Sequence, residues 1–397
     1  FAGIGTLIFH FVSQLKVPAF LGSSFAFLGG YASVKQLCVA QGLTDEVALN
    51  YACIGVAAAS LLYFVMAFLL KMFGTEKVMR FFPPVVTGPM VIAIGLTLSG
   101  SAISNCQQNW LLAITAIAIV ISTSIWGKGI IKIVPILLGV LGSYALAAAM
   151  GEVDFTKLSE AAWIALPIDM DRTAISVFKD PNFDLILTSI IAIFTIAFAT
   201  IMEHIGDMCA IQSTVGKNFI KDPGLHRTLC GDGLATFLAS LFGAPANTTY
   251  GENTGVLNLT KVFDPAVIRL AACFAILLSF CPKFACLIGL MPAATIGGVS
   301  LILYGMISAV GVRNLVETSV DFSSSRNVFV AALIMVVSIG VQYGTDGGVQ
   351  IGSVSFSGLA LAALVGIFLN AILPDQLGMK VKSFNGKEKK HKADVMQ

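Results

Sequence analysis

Charged residues are scarce in this sequence of 397 residues. Asp, Glu, Lys and Arg together make up 12% of it, against about 25% in ordinary soluble proteins. Hydrophobic residues make up 56%, and the mean hydropathy is +0.87. A water-soluble core could not bury so much apolar surface, so this composition excludes a soluble globular protein. Apolar runs of about 20 residues, the length that crosses a bilayer as a helix, predict one multi-pass membrane domain.

Patterns that mark metal sites, redox centres and nucleotide-binding folds are also missing. The eight cysteines form no C-x-x-C pair, and the four histidines are dispersed, at positions 10, 204, 226 and 391. We therefore expect no disulfides, no metal ion, no cofactor and no enzymatic activity. The net charge is +2 and the basic residues fall in loops and in the tail, so nucleic acid is not an expected partner.

About thirteen apolar segments are predicted along the chain. They span roughly residues 1–14, 19–33, 48–72, 85–104, 110–126, 129–150, 183–209, 228–243, 245–262, 265–281, 292–312, 328–343 and 355–373. The chain begins at Phe1, already inside an apolar run. We therefore expect one further segment upstream, which would bring the total to about fourteen.

Basic and acidic residues alternate between the loops that connect these segments. Acidic residues crowd the loop at 152–184, whereas the neighbouring loops carry Lys77, Lys128, Lys217 and other basic residues. Lys- and Arg-rich loops stay in the cytoplasm, so we expect a plasma-membrane protein with a cytoplasmic C-terminus. The basic tail is expected to be solvated, with contact to anionic lipid as the alternative.

Two of the predicted segments, residues 17–27 and 243–255, are shorter and more broken than the others. Each places a Pro and then small polar residues before a renewed apolar stretch. Half-helices of this kind expose backbone groups, which a membrane protein tolerates only beside a cavity. We therefore expect a binding site between two half-helices, with an ordinary kink or a re-entrant loop as the alternative.

A second pattern indicates two related halves. Phe82-Pro83-Pro84 opens one long apolar run, and Met291-Pro292 opens another. In each half this Pro-initiated helix follows the broken segment after one long helix. A shared order of this kind is typical of an internal repeat.

A carboxylate pair follows the apolar run 183–201. Glu203 and Asp207 are four residues apart and share one helix face, whereas His204 points about 100° away. A charge at the bilayer centre costs roughly 2.5 to 3.5 kcal/mol, so an intramembrane Glu indicates a functional site. Because two close carboxylates do not both stay ionised cheaply, the pair can take up a proton near neutral pH. The alternative places Asp207 in water, at the cytoplasmic end of its helix.

The second broken segment carries another carboxylate, Glu252, in the motif Thr-Thr-Tyr-Gly-Glu-Asn. Gly251 permits a close backbone approach, and the helix that follows would present N–H groups to a ligand oxygen. A flat ring with alternating N–H and C=O groups suits this chemistry, and we expect a cleft that fits one. Tyr250 or Phe25 could cover the face of the ring, although Tyr250 could equally serve in packing.

Four motifs together resemble the nucleobase/ascorbate transporter family, and within it the bacterial uracil carriers. They are residues 16–27, Glu-His-Ile-Gly at 203–206, Asp-Pro-Gly-Leu-His-Arg at 222–227, and residues 247–256. The resemblance covers essentially the whole chain. It implies an all-α membrane fold of two inverted repeats of seven segments, the first of them missing here, with two half-helices that each follow a short strand. It also implies a homodimer formed through the gate helices.

The family's division into a core domain and a gate domain implies boundaries for this chain. Residues 1–82 and 183–290 would form the core domain, and residues 83–182 and 291–375 the gate domain. Residues 376–397 would be a basic cytoplasmic tail.

The resemblance also implies roles for single residues. Glu203 and Glu252 resemble the two carboxylates that hold a pyrimidine ring, and the backbones of Phe25 and Gly251 resemble the amides that meet its oxygens. The candidate substrate-binding residues are Ser24, Phe25, Glu203, Tyr250, Gly251 and Glu252. The candidate proton-coupling residues are Glu203, Asp207 and Glu252.

Two further acids, Asp207 and Asp232, resemble acids of other members of the family. Asp207 departs from the His found at this place in the best-known uracil carrier and resembles the Asp of purine-transporting relatives. This difference argues against a His-based proton route but keeps an ionisable group in place. Asp232, in Cys-Gly-Asp-Gly, resembles an Asp of several relatives, although its expected position near the start of a helix favours an N-cap.

The leading hypothesis from the resemblance is import of uracil with a proton, by rocking of the core domain against the gate domain. Xanthine or urate is the alternative substrate, because Asp207 resembles the purine carriers, whereas Glu252 stands where those carriers have Gln. Sodium is the alternative coupling ion. A different class, an anion channel or exchanger of the same architecture, should prefer cationic residues to two Glu residues at the midplane.

Overall fold

The computed structural model describes residues 1–345, 348–351 and 354–374, with the backbone alone for Glu252, Ile351, Val354 and Ser355. The six tail lysines therefore lie outside the described residues. The first half contains the helices α1 (Ala2–Val12), α2 (Leu28–Ala40), α3 (Asp45–Phe73), α4 (Thr75–Met79), α5 (Pro84–Cys106), α6 (Trp110–Trp126), α7 (Ile130–Ile133), α8 (Pro135–Ala149) and α9 (Thr156–Glu160). Two 3-10 helices follow, Met170–Arg172 and Ala174–Lys179.

The second half contains the helices α10 (Phe183–Phe194), α11 (Ile196–Val215), α12 (Leu225–Leu241), α13 (Glu252–Thr260), α14 (Pro265–Ser279), α15 (Pro282–Gly289), α16 (Ala293–Glu317), α17 (Ser325–Gly344) and α18 (Gly358–Ile372). A π-helical turn, Ile220–Gly224, precedes α12. The strands are β1 (Leu21–Ser23), β2 (Asn247–Thr249), β3 (Gly348–Ile351) and β4 (Val354–Ser357). Strand β1 pairs with β2 and β3 pairs with β4, both antiparallel.

Length and composition let five helical segments of the described chain cross a membrane. They are α3, α5, the run Phe183–Val215 that joins α10 to α11, α16 and α17. Helices α14 and α15 bend by 89° at their junction and would together make a sixth. Shorter apolar helices are α1, α6, α8 and α18. Each of the predicted apolar segments overlaps at least one of the helices above.

Both segments that the sequence predicts to be broken are broken. Residues 17–24 run as extended chain through β1, and a turn at 25–27 leads into α2; residues 244–250 run through β2, and α13 begins at Glu252. Helix α2 has 13 residues and α13 has 9, fewer than the roughly 20 that cross the hydrocarbon layer. Each is therefore a half-helix that starts inside the protein.

The helices α5 and α16 begin at prolines, as predicted, and pack closely against each other. Pro84 occupies the first turn of α5, and Pro292 is the N-cap of α16. A methyl group added to Gly95 would collide with the Tyr304 carbonyl of the facing helix. Close contact through small residues is the usual way in which helices associate where no hydrophobic driving force acts between them.

Substitution of Gly95 by Ala should destabilise the protein. The added methyl group has no room against α16, and overpacking of this kind costs about 1 to 3 kcal/mol. Gly305→Ala is the matched control, because Gly305 lies on α16 and a methyl group added to it would meet no atom within 4 Å. We expect a lower melting temperature in detergent for Gly95→Ala and an unchanged or higher one for Gly305→Ala. Equal melting temperatures would contradict the close packing of α5 and α16.

Candidate functional site

The two half-helices meet where β1 and β2 pair. Leu21 faces Thr249, Gly22 faces Thr248 and Ser23 faces Asn247. The backbone N–H of Ser24 donates to the Ala246 carbonyl at 2.7 Å and extends the pairing by one residue. Because the strands are antiparallel, α2 and α13 start from opposite ends of this short ladder. The pairing therefore places the starts of both half-helices beside the same region of the interior.

Hydroxyl groups from two neighbouring helices satisfy the ends of this ladder. Thr6, on α1, accepts a hydrogen bond from the Leu21 N–H at 2.9 Å. Thr236, on α12, donates to the Asn247 carbonyl at 2.8 Å. The ring of His10, also on α1, lies 2.9 Å from the Ala19 carbonyl through Nε2. All three side chains are buried. They support the strands on which the site is built.

Two carboxylates of α11 face the start of α13. Glu203 is 7% exposed and Asp207 is 3% exposed, so both are withdrawn from solvent in the described structure. Asp207 Oδ2 accepts a hydrogen bond from the Thr249 hydroxyl at 2.8 Å. Helix α11 continues for about two further turns, to Val215. The alternative in which Asp207 is a water-exposed helix-end charge is therefore wrong.

Gly251 lies directly against Asp207. A methyl group added to its Cα would collide with Asp207 Oδ1. The glycine lets the backbone at the start of α13 approach this carboxylate without displacing it. Glu252 is the first residue of α13, but its side chain lies outside the described residues, so its contacts stay a prediction.

Aromatic rings line the same region. The rings of Phe25 and Tyr250 are nearly parallel, with an interplanar angle of 8° and centroids 6.4 Å apart. The Tyr250 hydroxyl donates to the Ser23 carbonyl at 3.0 Å and so ties β2 to β1. Ser24 is 4% exposed and lies between β1 and Phe25. The predicted residues Ser24, Phe25, Tyr250 and Gly251 are therefore brought together with Glu203.

Tyr304 of α16 belongs to this group, although the sequence motifs did not point to it. Its ring meets the ring of Phe25 edge to face, with centroids 5.4 Å apart. Tyr304 is buried, at 6% exposed, and Phe25 lies in the turn that precedes α2. In the sequence, Tyr304 is marked only as a tyrosine inside a Pro-initiated apolar run. This position does not predict which residues its ring contacts.

The cavity beside the two carboxylates is small. It has a volume of about 10 Å³ and is lined by Glu203, Asp207, Gly251, Val91, Ile307 and Val310, room for about one water molecule. The expectation of a cleft that already fits a flat ring is therefore wrong for this conformation. Val91 of α5 and Ile307 and Val310 of α16 close the space. A ring could enter only if these two helices moved away from α11.

A second cavity adjoins the first. Its volume is about 200 Å³, it shares Gly251 and Val310 with the smaller cavity, and it reaches Arg313 near the end of α16. Arg313 binds Glu317, one turn further along, at 2.6 Å. The larger space beside the carboxylates therefore extends towards this end of α16.

A buried histidine of α11 contacts a buried aspartate of α12, on a side of α11 different from that of Glu203 and Asp207. His204 Nδ1 is 3.0 Å from Asp232 Oδ2, and His204 Nε2 is 3.0 Å from the Thr228 hydroxyl. Both ionisable side chains are 0% exposed. Asp232 lies in the middle of α12, about two turns from its start. The interpretation of Asp232 as an N-cap is therefore wrong, because the helix begins earlier than the sequence suggested.

Comparison with known proteins adds to this geometry. A family model described as "Permease family" matches residues 1–347. The chain belongs to this family, which comprises the nucleobase/ascorbate transporters. It is 38% identical to the uracil permease of Bacillus subtilis over 94% of this chain and 85% of that protein. It is 37% identical to the uracil permease of Escherichia coli over 94% of this chain and 83% of that protein.

A solved structure shares the fold. The transmembrane domain of the cyanobacterial bicarbonate transporter BicA superimposes with a TM-score of 0.58, at 16% identity, over 93% of this chain and 89% of that one. The chain is therefore a multi-pass membrane permease with the seven-plus-seven inverted-repeat fold. In this permease the paired strands β1 and β2 lie in the same interior region as the acidic face of α11.

Substitution of Thr249 by Val should destabilise this permease. The change keeps the shape of the side chain but removes the hydrogen bond to Asp207, and loss of a bond to a buried charged group costs about 1.5 to 3 kcal/mol. Thr248→Val is the matched control, because Thr248 is equally buried and its hydroxyl has no partner among the described residues. We expect Thr249→Val, and not Thr248→Val, to lower the melting temperature. The opposite order would contradict the link between α11 and β2.

Proposed function

We propose that this permease imports uracil together with a proton. The observation that carries the proposal is the pair of buried carboxylates, Glu203 and Asp207, packed against Gly251 at the start of a half-helix. The chain has uracil permease relatives at 37% and 38% identity, which favours the same substrate here. We infer that the carboxylates hold both the base and the proton.

The chemistry of uracil matches the groups at this place. Its ring alternates N–H donors and carbonyl acceptors. On this proposal the carboxylates of Glu203 and Glu252 accept from the N–H groups, and the backbone N–H groups of Phe25 and Gly251 donate to the carbonyls. Phe25 and Tyr250 offer flat apolar faces to the ring. Ser24, beside Phe25, helps to shape this side of the site.

The closed site also suits coupling to a proton. A carboxylate that has lost contact with water is held cheaply only when it is protonated or hydrogen-bonded. On this proposal a proton on Glu203, Asp207 or Glu252 completes the hydrogen bonds around the base, and its release inside the cell weakens binding. One proton carried down a membrane potential of about 100 mV supplies roughly 2.3 kcal/mol, enough for about fiftyfold accumulation.

Movement of two domains would expose the site to each side in turn. We assign residues 1–82 and 183–290 to a core domain and residues 83–182 and 291–375 to a gate domain. Strands β1 and β2 and helix α11 then move with the core, whereas Val91, Tyr304 and Val310 stay with the gate. The basic loops and the C-terminus face the cytoplasm on this proposal, and the 200 Å³ cavity opens to that side.

Two alternatives keep the fold and change the cargo. Asp207 is the feature that favours xanthine or urate, and sodium could replace the proton. An anion exchanger is disfavoured, because the described residues that line the central cavity include two acids and no cation. Uptake of labelled uracil into vesicles, competed with excess xanthine and repeated with choline in place of sodium, separates these possibilities.

Glu203→Gln should abolish proton-driven uracil uptake, and so should Glu252→Gln. Each change keeps the size of the side chain but removes the group that can gain and lose a proton. Uptake is measured in inverted or right-side-out vesicles under an imposed pH gradient. Glu160→Gln, at the exposed end of α9, is the control and should transport normally. Undiminished uptake by both site variants would overturn the assignment.

A further inference from the structure

We propose that a pocket beside the ends of α1 and α14 binds the headgroup of an anionic phospholipid. The pocket has a volume of about 670 Å³. Three stretches form it: the chain that follows α1, with Lys16; the connection between α11 and α12, with Lys217, Lys221 and Asp222; and Pro265 at the start of α14. The proposal does not depend on which substrate the protein carries.

The lining of this pocket is strongly basic. Lys16 Nζ binds Asp222 Oδ1 at 2.5 Å, so these two charges neutralise each other. Lys217 and Lys221 are exposed, and neither forms an ion pair with an acid of the described chain. Two positive charges therefore remain on one wall of the pocket. Basic pockets between membrane helices on the cytoplasmic side are typical sites for anionic lipid headgroups.

Arg269 adds a further positive charge close to the pocket. It lies on α14, one turn after Pro265, and is within electrostatic range of His10 on α1. Its Nη1 atom is buried, and no acceptor for it exists among the described residues. An arginine inside a membrane helix normally binds an acid or a carbonyl. Arg269 is not among the lining residues, so its charge adds to the positive potential beside the pocket without contacting the headgroup directly.

Apolar side chains beside the pocket favour a lipid over a soluble anion. Phe11, in the last turn of α1, is 82% exposed, and Leu15, which lines the pocket, is 49% exposed. Both lie close in sequence to Lys16, so charge and apolar surface lie side by side. This arrangement matches a phospholipid, whose phosphate would contact the basic residues while its acyl chains cover Phe11 and Leu15.

Binding to purified protein in a neutral detergent tests the proposal. Short-chain phosphatidylglycerol should raise the melting temperature, because a ligand that binds only the folded state stabilises it. Phosphatidylcholine of the same chain length and inorganic phosphate should have much smaller effects. In the double variant Lys217→Gln/Lys221→Gln, the phosphatidylglycerol concentration needed for half the effect should rise by about tenfold or more.

Two further double variants serve as controls. Lys128→Gln/Lys132→Gln removes the same charge from the exposed connection between α6 and α8 and should bind phosphatidylglycerol as the unmodified protein does. Lys217→Arg/Lys221→Arg keeps the charge and should also retain binding. Equal loss in the two Gln variants would overturn the location. An equal response to phosphatidylcholine would overturn the charge recognition, and an equal response to inorganic phosphate would overturn the choice of a lipid.

Discussion

The pairing of β1 with β2 is the interaction on which the rest of the structure depends. Backbone groups inside a bilayer must find partners within the protein, so a chain that leaves its helix halfway across the membrane is stable only if something pairs with it. Here each broken segment supplies the partner of the other. Thr6 and Thr236 complete the pairing from the helices α1 and α12. The two half-helices can therefore begin deep inside the protein.

The same constraint explains where the acids lie. Helix α11 is joined to β2 through Asp207 and Thr249, and the missing side chain at Gly251 lets the chain pass beside the carboxylate. Helices α5 and α16 then close the space from the other side with apolar residues. The small cavity thus has a polar wall on α11 and an apolar wall on α5 and α16. The polar wall offers directional contacts, and the apolar wall excludes water without forming bonds that would have to break.

Local sequence signals predicted the backbone well. Pro18 and Pro245, followed by small polar residues, marked the two half-helices, and Pro84 and Pro292 marked the starts of α5 and α16. These signals act through the backbone, which Pro and Gly restrict or release within a few residues. The spacing of Glu203 and Asp207 likewise placed both on one face of one helix.

Local signals of this kind could not predict contacts between segments that are distant in the sequence. Tyr250 reaches Ser23 across 227 positions, and the ring of Tyr304, on α16, meets the ring of Phe25, which precedes α2. The role of Asp232 was misjudged because α12 begins at Leu225, after the turn at Pro223, and not beside the glycines at 231 and 233. The volume of the cavity depends on how tightly two groups of helices approach each other, which no local pattern records.

On the proposed function, buried carboxylates between two half-helices bind a nucleobase and a proton together. Titration calorimetry of uracil into the purified protein, repeated in two buffers with different heats of ionisation, tests it most directly. We expect binding with uptake of about one proton per uracil near neutral pH, because each ligand stabilises the bound form of the other. Uracil binding without proton uptake, or no binding at all, would contradict it.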